Sequence, residues 1–340
     1  MREERKNYLG IDVSKQWFDV SLLVVLNHVK QPILTDRFDN TITGMKDFKA
    51  WLKSKAVSYD ENSLLVIENT GVYHRLIWRF CSTNNFQLHI GNAAHIKWSL
   101  GITRGKNDVI DSQRLCLYCY KQQDELKLTP SLNPAFMRLK DLMTSRSRLV
   151  AQLNSAKNYI KEIQCTNDKV LLTMLDKSHK AAIDGIKKSI IQVELMIEQI
   201  VQQDKNIYHN YQLIKSVPGI GHLTAIYIIC CTNNFASKIS GKQLGSYAGV
   251  VPFSNTSGSS IKGKNKVHKM ANKELKKMLH LCALTAIKYY PEFKQYFDRK
   301  KAEGKNGMLV LNAIRNKLVL RVVAVVNKQQ PYVDNTKAAA

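Results

Sequence analysis

The sequence has no long hydrophobic run and no apolar N-terminal segment. Its most apolar stretches are VSLLVVL at 20–26 and AIYIICC at 225–231. Both are far shorter than the roughly 18 residues that a membrane span requires. The first residues, MREERKNY, lack the apolar core of a secretory signal. We therefore expect a protein without a secretory signal that makes no use of a membrane.

Paired cysteine motifs are also scarce. The seven cysteines are an odd and scattered set, which is typical of reduced thiols in a cytosol. One CxxC motif is present, at Cys116 and Cys119, and no second pair complements it. On a helix this spacing favours packing in the core over half of a zinc site.

Acidic residues are few relative to basic ones. The 340 residues include 51 Lys plus Arg and 27 Asp plus Glu, which gives a formal charge of +24. Such an excess favours a polyanionic partner through steering and through counterion release from phosphates. A basic surface that only keeps the protein soluble, or one that binds a membrane surface, is the alternative. We expect nucleic acid.

The first third of the chain has the pattern of an α/β domain. β-Branched, apolar runs at 8–14 and 18–25 predict a hairpin, and 32–40 predicts a third strand. A continuous apolar run at 63–69 predicts a strand buried on both faces, and 86–92 a further strand. With the intervening helical stretches, the order β-β-β-α-β-α-β-α is that of an RNase H-like mixed sheet, in which strands one and four are neighbours.

The remainder of the chain is predicted to be mainly helical. Apolar residues recur at alternating spacings of three and four around 139–163 and 186–200, which predicts two long helices in an antiparallel hairpin or an intermolecular coiled coil. We divide the chain into an α/β domain, a helical arm, a mainly α C-terminal domain and a tail, at 1–128, 129–208, 209–330 and 331–340.

Four carboxylates form the candidate catalytic set. Asp12 lies inside the first apolar strand and Glu68 ends the fourth, so neighbouring strands would bring them together. Asp108 and Asp111 share one face of a predicted helix, where two like charges repel unless Lys106, Arg114 or a cation compensates. Singly, each could be a cap, an exposed charge or an ion-pair partner. Together they predict a site for Mg²⁺ or Mn²⁺ that serves phosphodiester chemistry.

The C-terminal region carries two further motifs. SVPGIGHLTA at 216–225 resembles the hairpin of a helix-hairpin-helix element, in which Gly219 and Gly221 would let the backbone approach a phosphate. Ser254, Ser257, Ser259 and Ser260 lie in a loop that is followed by many lysines. A flexible, solvated loop is the alternative. The weaker candidates for phosphate contacts are basic residues in loops and near the serines: Arg104, Lys106, Lys262, Lys264, Lys266 and Lys269.

These motifs resemble one known family. GIDVSK at 10–15, VIENTGVYH at 66–74 and KNDVIDSQRL at 106–115 are similar to the signature of the DEDD transposases of the insertion sequence 110 type. The family pattern usually reads E-x-T-G-x-Y and K-T-D-x-x-D-A. Here Asn107 replaces Thr, Ser112 replaces Ala, and GNAAHIK at 91–97 lacks the usual proline. All four acidic positions are kept.

The resemblance extends into the C-terminal domain. In this family a P-G-I-G-x-x-T-A string opens the transposase domain, and a G-L-x-P…S-G segment carries the proposed nucleophilic serine. The matching residue here is Ser257, and GVVP stands where GLxP is usual. The resemblance implies a RuvC-like first domain, a metal bound by the four carboxylates, a tetramer, and DNA strand exchange between donor and target. It also implies a guide, a structured noncoding RNA that pairs with both DNAs.

Two other classes of function remain open from the residues alone. One is a metal-dependent nuclease or junction resolvase, in which water attacks and Ser257 only binds phosphate. The other is a nucleic-acid-binding protein without catalysis, in which the carboxylates are structural charges. An ATP-binding protein with an actin-like fold is disfavoured, because no glycine-rich phosphate loop follows the first strand at Lys15.

Overall fold

A computed structural model describes residues 4–101, 107–257 and 261–333; for 254–257 and 261–265 it describes the backbone only. The chain divides into two compact units, Met1–Asn133 and Pro134–Ala340. Each unit has its own hydrophobic core. The finer division into four segments stays a prediction.

The N-terminal unit is a mixed sheet with helices. Its elements are β1 (Arg5–Val13), β2 (Trp17–Leu26), β3 (Val29–Lys30), β4 (Leu34–Asp39), α1 (Ile42–Ser54), β5 (Ser63–Glu68), α2 (Arg75–Asn84), β6 (Gln87–Gly91), α3 (Ala93–Ser99) and α4 (Asp108–Gln122). The sheet order is β3-β2-β1-β5-β6, and β4 also pairs with β2. The predicted α/β sheet is confirmed, with the two-residue β3 as an unpredicted addition.

The sheet brings together strands that are far apart in sequence. β1 pairs antiparallel with β2 and parallel with β5, with Ile11 opposite Ile67. The predicted neighbourhood of the first and fourth strands is therefore correct. Both strands are almost entirely buried, which explains their continuous apolar sequences. Helix α4 packs on β1 at Gly10, where a Cβ atom would lie 2.0 Å from the backbone nitrogen of Cys116.

Cys116 and Cys119 lie in the core of this unit. Both are fully buried, and their thiols donate to the backbone carbonyls of Tyr8 and Leu64, at 3.1 and 3.3 Å. Burial raises the pKa of the Cys116 thiol to about 12. The CxxC motif is a packing feature, as its isolation in the sequence predicted.

The second unit is mostly helical. Its elements are α5 (Pro134–Ile163), a short 3-10 turn (Gln164–Thr166), α6 (Lys169–Gln203), α7 (Lys205–Lys215), α8 (His222–Thr232), α9 (Gly241–Tyr247), β7 (Phe253–Ser257), β8 (Ile261–Lys266), α10 (Lys273–Tyr289), α11 (Pro291–Ala302) and α12 (Gly307–Lys328). The strands β7 and β8 form an antiparallel hairpin.

Helices α5 and α6 pack against each other as an antiparallel hairpin. The guanidinium of Arg146 is 2.6 Å from the carboxylate of Glu194, and the rings of Tyr159 and His179 lie 5.8 Å apart. The turn between the helices carries Cys165, whose side chain is exposed. The two predicted long helices are confirmed; a coiled-coil arm between protomers stays a prediction.

The rest of this unit packs around helices α8, α10 and α12. Helix α12 buries an apolar stripe that includes Ile314, Leu318 and Val322. The strongly apolar helix α8 is buried along most of its length. Within the described ranges, no helix is long and apolar enough to cross a membrane.

Candidate active site

Three of the four predicted carboxylates line one cleft. This acidic cleft has a volume of about 650 Å³, and its walls include Asp12, Glu68 and Asp111. Two basic residues, Lys97 and Arg114, share the same walls. The cleft lies within the N-terminal unit, at the carboxyl ends of β1 and β5, where open α/β sheets commonly bind their ligands.

The sheet and one helix cap position these side chains. Because β1 and β5 run parallel and in register, Asp12 and Glu68 reach the same edge of the sheet. Asn107 is the N-cap residue of α4, and its side chain accepts a hydrogen bond from the backbone N–H of Val109. Asp108 and Asp111 consequently lie in the first turn of α4, where the helix dipole favours negative charge.

The carboxyl of Asp12 is the most perturbed acid of the site. Its pKa is raised to about 6, first by burial and then by the negative charges of four other carboxyl groups: Asp108, Asp111, Glu68 and Asp19. A like charge nearby disfavours ionisation. The charges of Glu68, Asp108 and Asp111 thus all act on the carboxyl of Asp12, and a joint role of the four carboxylates in metal binding stays a prediction.

Asp108 has basic and aromatic partners that the sequence did not reveal. Its carboxylate lies 3.6 Å from the guanidinium of Arg37 and 3.5 Å from the indole nitrogen of Trp17. Arg37 also forms two 3.0 Å hydrogen bonds to Asp19, which is only 2% exposed. Arg37 thus neutralises a buried acid and touches the catalytic candidate at the same time. Its guanidinium lies over the Trp17 ring, 5.1 Å from the centroid.

Asp111 is paired with Arg114 at 2.9 Å, one of the compensating partners that the sequence suggested. Carboxylate oxygens suit Mg²⁺ and Mn²⁺, so the donor chemistry of the cleft fits such an ion. The spacing is wider than a bound ion needs: in the part of the chain that is described, no three His, Cys, Asp or Glu side chains lie close enough to hold a metal. Ligation would require the carboxylates to close in and Asp111 to leave Arg114.

The predicted nucleophile lies in the second unit. Ser257 is the last residue of β7, opposite Ile261 of β8. Lys262 and Lys264 follow on β8, and the position of the Ser257 side chain is not described. Lys266, at the end of β8, and Lys269 are exposed. Arg104 and Lys106 lie outside the described residues, so their predicted phosphate contacts stay predictions.

The two glycines of the predicted hairpin have different surroundings. Gly219 has a φ of +84°, and a Cβ there would lie 2.9 Å from the Cys282 carbonyl oxygen and from Cβ of Ala286. Its lack of a side chain therefore serves close packing against α10. Gly221 is exposed and caps the start of α8, with no atom near its missing Cβ. A phosphate contact at this turn stays a prediction, with Gly221 the better placed of the two.

Sequence reasoning missed Arg37 and Asp19. Asp19 carried the same signal as Asp12, since both are acids within an apolar strand, and the two face each other in the β1–β2 register. Arg37 is opposite Asp19 in the β2–β4 register. That pairing depends on the exact alignment of three strands, which hydrophobic patterning does not define.

Two family models match the chain in order. A transposase model of the DEDD type named for IS110 matches residues 9–163. A model of the IS116/IS110/IS902 transposase family matches residues 211–298. The first match covers the acidic cleft, and the second covers the serine hairpin and the glycine turn.

Curated relatives agree with these matches. The chain is 28% identical to the pilin gene-inverting protein of Moraxella bovis over 96% of this chain and 98% of the relative. It is 27% identical to the pilin gene-inverting protein of Moraxella lacunata over the same shares. It is also 32% identical to an uncharacterized 43.6 kDa protein of insertion element IS110 from Streptomyces coelicolor, over 27% of this chain and 23% of that protein. The chain belongs to the IS110-type family of transposases and is a DNA transposase/recombinase.

Proposed function

We propose that this protein cuts and rejoins DNA by transesterification, with Ser257 as the nucleophile and the acidic cleft as the electrostatic centre. The observation that carries the proposal is the clustering around Asp12. A half-buried carboxyl is influenced by four others in a chain of net charge +24. Such a grouping is costly for folding alone, and it suits a site that binds a cation and a phosphate.

Asp12, Glu68, Asp108 and Asp111 are the residues that would hold Mg²⁺ or Mn²⁺. When bound, the cation would polarise a phosphoryl oxygen and stabilise the charge that develops there. Arg37 and Arg114 now pair with Asp108 and Asp111, and a bound cation would take over part of that charge compensation. The two guanidinium groups would then also contact phosphate oxygens of the DNA, because guanidinium groups match phosphate geometry.

The serine step conserves the energy of the phosphodiester bond. The Ser257 oxygen forms a bond to phosphorus while the bond from phosphorus to one sugar oxygen breaks, and that sugar becomes a free hydroxyl. Attack by a sugar hydroxyl of another strand reverses the step and releases the serine. Asp12 and Ser257 belong to different compact units. The proposal requires them to meet on the DNA, within one chain or between protomers.

A guide RNA and a homo-oligomer complete the proposal. The positive charge suits contacts to the backbones of RNA and DNA, and a guided duplex is recognised through its shape. We propose that the α5–α6 hairpin acts as a coiled-coil arm between protomers, up to a tetramer. Exposed apolar side chains on α6 support this: Val170, Met174, Ile191 and Leu195. We also propose that the turn at Gly221 and the lysines near Ser257 contact DNA phosphates.

The test is a search for a covalent protein–DNA adduct. The protein is expressed together with its native flanking DNA, so that any guide RNA is supplied, and lysates are denatured in SDS. We expect DNA attached to the wild-type protein and none attached to Ser257→Ala or Asp12→Ala. Ser254→Ala removes a hydroxyl from the same strand, β7, and should keep the adduct.

The alternative is a metal-dependent nuclease in which water attacks. Hydrolysis by water produces no covalent protein–DNA adduct. Cleaved DNA without an adduct, in an amount that Ser257→Ala does not change, would therefore establish hydrolysis. A protein that binds DNA but neither cuts it nor responds to Mg²⁺ would be a binding protein without catalysis. Loss of the adduct in Ser254→Ala alone would move the nucleophile to that residue.

A further inference from the structure

A group of basic residues lies in the C-terminal unit. Arg315 is on the buried face of α12, beside Ile314 and Leu318, and is only 5% exposed. One of its terminal nitrogens lies 2.6 Å from Nδ1 of His280 on α10. Lys276, one turn before His280 on α10, is half-buried. We call Lys276, His280 and Arg315 the basic cluster.

The hydrogen-bonding capacity of the basic cluster is incompletely used. The Nε atom of Arg315 is buried and has no hydrogen-bond partner, and the same is true of the side-chain oxygen of the next residue, Asn316. Leaving a buried donor unpaired destabilises the folded state, and more so when the group is charged. A ligand that accepts a hydrogen bond from this donor would bind with a net gain in free energy.

The basic cluster also lacks a counter-charge. No carboxylate in the described ranges forms an ion pair with any of the three residues. Burial lowers the pKa of Arg315, and burial followed by the charge of Arg315 lowers the pKa of Lys276 and of His280. Arg315 thus disfavours the protonation of both Lys276 and His280 in a partly desolvated region. An anion would relieve this cost.

The position of the basic cluster links it to the serine hairpin. Asn312, one turn before Arg315, donates a 2.8 Å hydrogen bond to the carbonyl of Val250. The amine of Lys276 lies 3.9 Å from the point where a Cβ of Gly249 would be. Gly249 and Val250 precede β7, the strand that ends at Ser257. An anion held by the basic cluster would therefore lie beside the base of this hairpin.

We propose that Lys276, His280 and Arg315 form a binding site for a phosphate group of the nucleic-acid backbone, which anchors the DNA strand beside the serine hairpin. The guanidinium of Arg315 supplies the unpaired Nε donor, and the half-buried Lys276 supplies an ammonium group on a long side chain. This inference deepens the proposed recombinase function, since it assigns residues that position the DNA. It does not depend on Ser257 being the nucleophile.

The first test measures thermal unfolding of the full-length protein in phosphate and in chloride at equal ionic strength. We expect phosphate to raise the Tm of the wild type above its value in chloride. Arg315→Met should lose this difference. Arg299→Met removes an equal charge from an exposed position on α11 and should keep it. Lys276→Met, at a less buried position, provides a second variant if Arg315→Met does not fold. Equal Tm values for the wild type in both salts would overturn the proposal.

The second test separates a DNA phosphate from free phosphate. We expect Arg315→Met to bind duplex DNA about tenfold more weakly, since one charged hydrogen-bonding group is lost. The slope of log affinity against log salt concentration should decrease in magnitude by about one, the loss expected for one phosphate contact. Free phosphate should compete with DNA for the wild type and not for this variant. Phosphate binding without competition would assign the site to free phosphate and overturn the role in DNA binding. Adduct formation in the SDS assay is an independent readout, so the proposed function and this site can fail separately.

Discussion

Replacing Asp12 with asparagine should reduce DNA strand cleavage by about 10²–10³-fold, the loss typical when one charge-stabilising group is removed from a catalytic site. The carboxylate lies in the acidic cleft with Glu68 and Asp111. Asparagine keeps its shape and removes the charge that would hold a cation. The measurement is the rate of strand cleavage on the native flanking DNA. Retained cleavage would remove Asp12 from the mechanism.

The same substitution should make the protein more stable. Burial and neighbouring carboxylates raise the pKa of Asp12 from 3.8 to about 6, so the folded state holds this proton more tightly than the unfolded state. Near pH 4 the wild type and Asp12→Asn should differ little. The difference between their free energies of unfolding should grow as the pH rises to about 6 and stay constant above that pH. At pH 8 we expect the variant to be more stable by about 1–2 kcal/mol, after allowance for solvent screening.

Urea unfolding with and without Mg²⁺ checks this stability effect. Asp47→Asn, at an exposed position on α1, is the control and should change little at any pH. Because Mg²⁺ would bind only the folded wild type, adding it should narrow the gap between wild type and Asp12→Asn. A variant that is less stable than the wild type at pH 8 would contradict the like-charge account of the acidic cleft. A gap that Mg²⁺ does not change would contradict cation binding.

Replacing Gly10 with alanine should destabilise the N-terminal unit by about 3 kcal/mol, at the upper end of the usual cost of overpacking. The new Cβ would lie 2.0 Å from the nitrogen of Cys116 and 2.4 Å from the carbonyl oxygen of Ser112. Both atoms belong to the backbone of α4, which cannot move aside by a rotamer change as a side chain can. Helix α4 would have to move away from β1. Because α4 carries Asp108 and Asp111, strand cleavage should fall together with stability.

Gly185→Ala is the matched control for this prediction. Gly185 lies in the interior of α6, and apart from its chain neighbours and the nearby backbone of the helix itself no atom lies within 4 Å of the position of its missing Cβ. Alanine there should raise stability by about 0.5–1 kcal/mol, since glycine is a poor helix former. Urea unfolding of both variants measures the contrast. Equal stabilities of Gly10→Ala and the wild type would show that α4 has room to shift on β1.

Sequence reasoning predicted the strand neighbours and the acidic cleft because both follow from local patterns. A lone acid in a buried strand is costly unless it has a partner. The pairing of β1 with β5 brought Glu68 to Asp12 as expected. Arg37 was not predicted as a site residue because its contact with Asp108 depends on the register of β4. Arg315 carried a visible signal, a charge within an apolar helix, but the helices that surround it cannot be read from periodicity alone.

The burial of the cysteines gives the protein a simple route to site-specific labelling. Five of the seven are buried, Cys231 is partly buried, and Cys165 is exposed at the end of the α5–α6 hairpin. Burial raises the pKa of the Cys231 thiol to about 11, so few thiolates form there near neutral pH. A maleimide dye should therefore couple to Cys165 in the native protein without removal of the other cysteines. Energy transfer between two such dyes would then report whether hairpin tips from different chains come together.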